Sequence, residues 1–374
     1  MPVSSIIETF RTQFIEQYHD SILPSHLKAL DAMANCRTDG SLQMLAQCPE
    51  CEHQLFVPHS CGHRNCPHCQ NHESQQWLEQ QLQKRVPAEY FLLMFTLPAE
   101  LRKLAWEHQR VLYSLMLQCA WETLRSFVQN DKQLQGMAGV IAVLHTHSRK
   151  LDYHPYVHFV MPAAAIDKEK KQWRTKEGYL FNDRALAKVF RAKMLEAITN
   201  EELILSERHP KKWVVHGKFV VGTGDKALVY LGRYLYRGVI QEKDIVACKN
   251  DQVTFRYQDS KTKRMLTRTV SGPAFLWLLV QHVLPKKFRR TRNFGFLHPR
   301  CKRLFEVIQY LLGLNPNRAL SWLKQRPPLK CPACGAKMRI IQTGISRFEL
   351  LKLLLEQRSS RIPIENDLAG ELTV

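Results

Sequence analysis

His154-Pro155-Tyr156-Val157-His158-Phe159-Val160-Met161-Pro162 is a short apolar run, β-branched and aromatic, closed by a proline. That composition reads as a buried strand. Side chains alternate along a strand, so His154 and His158 lean to one face if the strand is already regular at Pro155. Two imidazoles on one face of a sheet can hold a divalent metal. Two hydrogen-bonded histidines at a sheet end are the competing reading.

Upstream, Gly139 to Leu144 is a second buried strand running into His145-Thr146-His147. With a turn at Leu151 and Asp152, the two strands form a hairpin with histidines at one end. His145 and His147 also share a face, so four histidines are expected near one another, with no means of choosing the metal-binding pair. Tyr90 to Leu97 is a further strand stopped by Pro98, and Val214 to Val221 another, followed by Gly222-Thr223-Gly224. That turn is a weak phosphate cradle and more simply a connection. Amphipathic helices are expected over Leu101–Val128 and Asp183–Leu205, and shorter ones over 1–45 and 73–87. Strands and helices in this arrangement give an α+β fold.

In Leu228-Val229-Tyr230-Leu231-Gly232-Arg233-Tyr234-Leu235-Tyr236-Arg237, Tyr230 and Tyr234 are four apart and share a helix face. Arg233 and Arg237 share the adjoining one. This is either an amphipathic core stripe or a tyrosine nucleophile with arginines holding a phosphate. Val253–Tyr257 and Thr267–Val270 read as a basic hairpin, followed by a helix from Ser271 to Leu284 that Ser271 caps. Lys286-Lys287-Phe288-Arg289-Arg290-Thr291-Arg292 interleaves an aromatic with cations, which suits a phosphate backbone and an unstacked base.

Lys and Arg number 54 against 34 Asp and Glu, a net charge of +20, which points to a polyanion, most simply nucleic acid. No segment approaches the length of a membrane span. The N-terminal apolar stretch contains Glu8 and lacks a basic lead-in, so a cytosolic, nucleoid-associated protein is expected. Eleven cysteines in such a chain suggest metal ligands or buried thiols rather than disulfides. Cys48, Cys51, Cys66 and Cys69 give C-x2-C-x14-C-x2-C, a thiolate cage for zinc, with Cys61 and His63 as substitutes or ligands of a second ion. Arg64 beside them is a candidate DNA contact. His298, Cys301, Cys331 and Cys334 form a second candidate zinc site, C-P-A-C-G being a good knuckle half. A final helix, Ile345 to Gln357, runs into a polar tail.

In this order, Cys61–Gln70 (C-G-H-R-N-C-P-H-C-Q), F-T-L-P (Phe95–Pro98) and L-H-T (Leu144–Thr146) resemble the two-tyrosine HUH transposases of rolling-circle insertion sequences. So do H-P-Y-V-H-F-V-M-P (His154–Pro162), Y-L-G-R-Y (Tyr230–Tyr234), H-V-L-P-K (His282–Lys286) and C-P-A-C-G (Cys331–Gly335). The resemblance runs over most of the chain. It implies a zinc-binding helical region at 1–87, a catalytic antiparallel sheet flanked by helices at 88–295, and a C-terminal knuckle and helix at 296–374. It further implies that Tyr230 and Tyr234 attack single-stranded or hairpin DNA at element ends, giving a 5′-phosphotyrosine. His158, with His154 or His145, would hold Mg2+ or Mn2+, and one or two zinc ions would be structural. The family's metal motif is histidine–hydrophobic–histidine, whereas Tyr156 stands here in the first of those positions. A catalytically impaired transposase, a zinc-dependent DNA-binding regulator and a water-activating nuclease are therefore the rivals. No Walker-type motif is present, which fits strand transfer that conserves bond energy through phosphotyrosine.

Overall fold

Alternation decides which face of each strand is covered, and the computed structural model follows it. It describes residues 2–38, 40–67, 69, 71–178, 180–205, 212–222, 224–236, 239–259, 262–315 and 328–359. In chain order, helices α1 (Val3–Tyr18) and α2 (Pro24–Ala34) precede strands β1 (Gln43–Gln47) and β2 (Gln54–Pro58) and helix α3 (Asn71–Gln83). Strand β3 (Tyr90–Thr96) leads into helices α4 (Arg102–Glu107) and α5 (Gln109–Asn130). Strands β4 (Met137–His147), β5 (Tyr153–Pro162), β6 (Ala164–Asp167) and β7 (Gln172–Thr175) follow, then α6 (Asp183–Asn200), β8 (Val215–Val220) and α7 (Asp225–Tyr236). Strands β9 (Ile245–Lys249), β10 (Gln252–Gln258) and β11 (Met265–Ser271) precede α8 (Gly272–Val280) and β12 (Thr291–Gly295). Helix α9 (Lys302–Leu311), strand β13 (Arg339–Ile345) and helix α10 (Arg347–Ser359) complete the order. The chain divides into two units, Met1–Ala34 with Gly62–Lys324, and Asn35–Cys61 with Gln325–Val374.

The first unit is built on an antiparallel sheet ordered β7-β6-β4-β5-β3-β8, with β12 also on β4, so the expected α+β architecture holds. Odd residues of β5 (Val157, Phe159, Met161) and their neighbours Phe91, Leu93, Phe95, Ala142 and Leu144 share one core. Apolar residues of α5 (Leu112, Met116) and α6 (Phe190, Met194) cover that face. Ile141, Val143 and Val160 point the other way, into a second core with Trp77 and Leu78 of α3 and Ala227, Leu228 and Leu231 of α7. The ladder sets Val143 opposite His158 and His145 opposite Tyr156. The histidine face is therefore the one covered by α3 and α7.

The long helix expected over Leu101–Val128 is instead two, α4 and α5, because His108 leaves helical geometry (φ −121°, ψ 45°). Ser271 caps α8 as expected, its hydroxyl accepting from the Ala274 amide at 3.4 Å. The basic hairpin is β10–β11, with Thr254 opposite Thr269. In the second unit, β13, β1 and β2 form a three-stranded sheet in that order over a small core of Ala46, Cys48, Cys331 and Met338. Among the described residues no helix is long and apolar enough to cross a membrane. The polar tail beyond Ser359 lies outside the described residues, as do Arg237 and Thr223.

Candidate active site and metal centres

Helix α7 is fixed over the histidine face at its first turn. Gly224 (φ +79°) lets the backbone pass Tyr90 so closely that a Cβ would lie 2.6 Å from its ring. Asp225 receives the buried Arg85 guanidinium, and the Ser74 hydroxyl of α3 donates to the Gly232 carbonyl at 3.0 Å. Ala227, Leu228 and Leu231 then face the core, and Tyr230, one helical step round, is 37% exposed. Its ring lies 6.3 Å from that of His158, edge to face. Tyr234 follows one turn later on the same helix.

On β4 and β5, His158 Nδ1 lies 3.2 Å from His145 Nε2. Tyr156 stacks on the His145 ring at 4.9 Å and 14°, and meets the edge of His158 at 5.2 Å. The phenol ring thus lies beside both His145 and His158, and 5.5 Å from the ring of His154. His147, His154 and His158 line one cavity and His145 adjoins His158, but among the described residues the four do not bring their ring nitrogens together as one ligand group. The β4–β5 register shifts between His145 and His147, so the ladder resumes with His147 opposite Tyr153. His147 instead faces His282, ring to ring at 5.3 Å. A single inserted residue breaks the parity on which the four-histidine expectation rested.

Burial strips these imidazoles of charge. It pushes His158, His154 and His147 down to about 4, and His145 and His282 well below the ordinary histidine range. His145 is further lowered by His158, His147 and Arg290. Neutral imidazole is the form that ligates a metal. Cis ligands about 2.1 Å from an octahedral ion are about 3 Å apart, so the His145–His158 spacing fits two positions of a Mg2+- or Mn2+-like shell. Among the described residues no third histidine, cysteine or carboxylate ligand atom joins that pair within 4.8 Å. His154 stays on the same strand, beyond Tyr156.

The same burial makes a stability prediction at two histidines away from this pair. His26, between Trp106 and Trp277, sits at about 4, and His282 donates from Nε2 to the Leu151 carbonyl at 2.9 Å. In the unfolded chain a histidine takes its proton near pH 6.5; in the fold His26 does not until about 4, and His282 is shifted in the same direction. The unfolded state binds more protons in that window, so stability is lost as pH falls from 6.5 towards 4. Denaturant unfolding at pH 7 and pH 5 is expected to differ by about 2 kcal/mol from His26 alone, with His282 adding in the same sense. Equal stabilities would contradict the buried neutral assignment.

A cavity of about 920 Å³ is lined by His147, His154, Tyr156, His158 and Tyr230. Lys150, Lys243 and Tyr257 line it too, Tyr257 from the sheet β9–β10–β11. That sheet is latched to the β4–β5 turn, since Arg268 donates to the Lys150 carbonyl (2.6 Å) and to Asp152 (2.7 Å). The Lys150 ammonium stands 5.7 Å over the Tyr257 ring. The hairpin is legible in sequence as basic; that its Tyr257 shares a cavity with histidines is not.

The run Lys286–Arg292 behaves otherwise than expected. Phe288 is buried against Tyr113 (5.7 Å), so it is core and not a base platform. Arg64 donates to the Phe288 carbonyl at 2.6 Å and Arg292 to Ser114 at 3.1 Å. Lys286, Lys287 and Arg289 are exposed, and Arg290 is half-buried.

The thiols pair differently from the expected C-x2-C-x14-C-x2-C. Cys48 lies 3.4 Å from Cys334 and Cys51 3.6 Å from Cys331, sulfur to sulfur. All four ligand atoms fall within 4.8 Å of one another, a donor set suited to zinc. Cys66 and Cys69, both buried, and the half-buried Cys61 are not part of that four-sulfur group. His63 accepts the Asn65 amide at 3.3 Å. His298 is not a ligand in the Cys331–Cys334 group: it caps a short turn, accepting from the Arg300 amide at 3.1 Å, next to the half-buried Cys301.

Residues 139–304 match the family model described as "Putative transposase", and residues 6–97 that described as "Transposase zinc-binding domain". The chain is 30% identical over 332 residues to "Putative transposase y4qJ" of Sinorhizobium fredii (strain NBRC 101917 / NGR234), covering 82% of each. It is 27% identical to the "Transposase for insertion sequence element IS801" of Pseudomonas savastanoi pv. phaseolicola, covering 77% of this chain and 76% of that one. Among solved structures, the conjugative relaxase TrwC in complex with mutant OriT DNA aligns with 60% of this chain and 75% of its own, at 13% identity and a TM-score of 0.24. That likeness is too slight to speak to fold or activity. Sequence identity across four-fifths of a transposase, with both family models in chain order, makes this chain a member of the rolling-circle insertion-sequence transposases of the IS801 type, with their N-terminal zinc-binding domain.

Proposed function

We propose that this transposase nicks single-stranded DNA at its element's ends through Tyr230, and that Tyr234 serves the second strand-transfer step. The observation that carries this reading is the stand of Tyr230 beside the neutral His145–His158 pair, over one cavity. The Tyr230 phenolic oxygen attacks phosphorus and the bond from phosphorus to the 3′ oxygen breaks. The 5′ phosphate is left on tyrosine, and the 3′ oxygen leaves as a hydroxyl after gaining the proton that the phenol gives up to solvent. A free 3′ hydroxyl can later reverse the step on another strand, so no nucleotide hydrolysis is needed. Mg2+ or Mn2+ bound by His145 and His158 would polarise the scissile phosphate and offset developing charge. His154 is the reserve ligand, and Arg233 and Arg237 are the proposed phosphate contacts on and after α7.

Other residues lining the cavity suit an unpaired strand. Lys150 and Lys243 offer charge to phosphate, and Tyr257 a ring for one base. Exposed Lys286, Lys287 and Arg289 extend the basic surface of this unit. Tyr257→Ala is expected to weaken single-stranded DNA binding about tenfold or more, read by fluorescence anisotropy at fixed salt. Unchanged affinity would remove Tyr257 from the contact.

A second reading, a DNA-binding protein with impaired chemistry, draws on Tyr156, which stands beside His145 and His158 where the family motif has an imidazole. The deciding experiment is incubation with single-stranded DNA carrying the element end and Mn2+, followed by a denaturing gel. A covalent protein–DNA band supports nicking through tyrosine. Cleavage without attachment means activated water, and binding without either means a regulator.

A further inference from the structure

The two thiol pairs of the second unit come from turns built alike. Cys48-Pro49-Glu50-Cys51 and Cys331-Pro332-Ala333-Cys334 share the pattern C-P-x-C. In the first, the Cys48 amide donates to the His53 carbonyl (2.9 Å) and the Glu52 amide to the Cys48 carbonyl (3.0 Å). In the second, the Cys331 amide donates to the Ala336 carbonyl (2.8 Å) and the Gly335 amide to the Cys331 carbonyl (2.9 Å). The offsets are the same in both. So is the left-handed residue after the second cysteine, Glu52 at φ +57° and Gly335 at φ +77°. Glutamate is poorly suited to that conformation, so the turn holds it there against its preference.

The pairs face each other with two-fold-like symmetry. The first cysteine of each turn meets the second of the other, at 3.4 Å and 3.6 Å. A tetrahedron with zinc–sulfur bonds of about 2.3 Å has edges of about 3.8 Å, so the four sulfurs need move only by a few tenths of an ångström. Each turn also begins or ends a strand of one sheet. β1 pairs with β2 (Leu45 opposite Phe56) and with β13 (Ala46 opposite Ile340, Gln47 opposite Arg339). Among the described residues the core cluster beneath that sheet is small, Ala46, Cys48, Cys331 and Met338 with a few partly covered neighbours. So small a core does not hold three strands together without a staple.

We propose that one zinc ion is shared by the two turns, making the second unit a split zinc ribbon whose halves lie about 280 residues apart in the chain. The zinc-binding domain matched at residues 6–97 therefore contains only half of this site. Cys331 and Cys334 complete it, and the ion fixes the C-terminal strand β13 across β1. A lone N-terminal segment holds that ion no better than any two-thiol site would.

Native mass spectrometry of the full-length protein counts the ions. Cys48→Ser with Cys51→Ser should remove one zinc, and Cys331→Ser with Cys334→Ser should also remove one. All four substitutions together should still remove only one. Loss of two ions from the fourfold variant, or of none from the C-terminal pair, overturns the shared site. Cys334→His keeps a ligand and should retain the ion; its loss there would equally count against a zinc cage. Limited trypsin digestion gives an independent readout. Substitution at Cys48 and Cys51 should speed cleavage after Arg339, far along the chain but paired with Gln47. An unchanged cleavage rate there would mean that the ion does not clasp β13.

Discussion

Tyr230→Phe is expected to remove the covalent adduct formed at the first nick, by about 10⁴-fold or more, because the oxygen that forms the bond to phosphorus is gone. The substitution deletes one oxygen from a side chain already 37% exposed, and the buried Ala227, Leu228 and Leu231 hold α7 without it. Folding and DNA affinity should therefore be nearly unchanged, and a melt and an anisotropy titration check both. Tyr230 and Tyr234 divide two steps in the proposed scheme, so Tyr234→Phe should leave the first adduct and block transfer. With both changed, neither product should form. Undiminished cleavage by the double variant would move the nucleophile elsewhere.

The second large effect is expected at His158. Alanine there leaves His145 without its facing nitrogen at 3.2 Å and opens the floor of the cavity. Loss of the polarising ion forfeits several kcal/mol of transition-state stabilisation, about 10³-fold in nicking rate. Binding of single-stranded DNA should persist, since Lys150, Lys243 and Tyr257 are untouched. Tyr156→His acts in the opposite sense. It sets a third imidazole beside His145 and His158, and isothermal titration with Mn2+ should register tighter binding. If His158→Ala nicked as fast as the parent at saturating Mn2+, the imidazole pair would not be the metal site.

Much of this was legible in the chain. The strands β3, β4, β5 and β8 declared themselves by apolar, β-branched runs, and alternation correctly put Val157, Phe159 and Met161 on one face and His158 on the other. The helical spacing of Tyr230 held because α7 is regular over its described length. Three features were not legible, each for a physical reason. The shift between His145 and His147 is a local break in register, and no composition marks it. Phe288 sits in a run of cations, yet it packs on Tyr113, because a single aromatic flanked by charge reads the same on a core edge as on a surface. The thiol partners were misassigned because spacing favours near neighbours, and Cys48 and Cys51 are as close to Cys66 and Cys69 in sequence as two knuckles usually are. What joins them to Cys331 and Cys334 is the pairing of β1 with β13, a contact between chain ends that periodicity cannot report.

The central place of β1 between β2 and β13 has a consequence for synthesis on the ribosome. Translation delivers Cys51 about 280 residues before Cys331. At about 5–20 residues per second, that is roughly 15 to 60 seconds. Throughout that interval the nascent β1–β2 hairpin has one edge bare. Its closing strand β13 leaves the tunnel only after the whole first unit has done so. A messenger truncated before codon 331 therefore yields a product with the histidines and tyrosines of the cavity but with the second unit unclosed. The completeness of the message is thus written into the fold of its product.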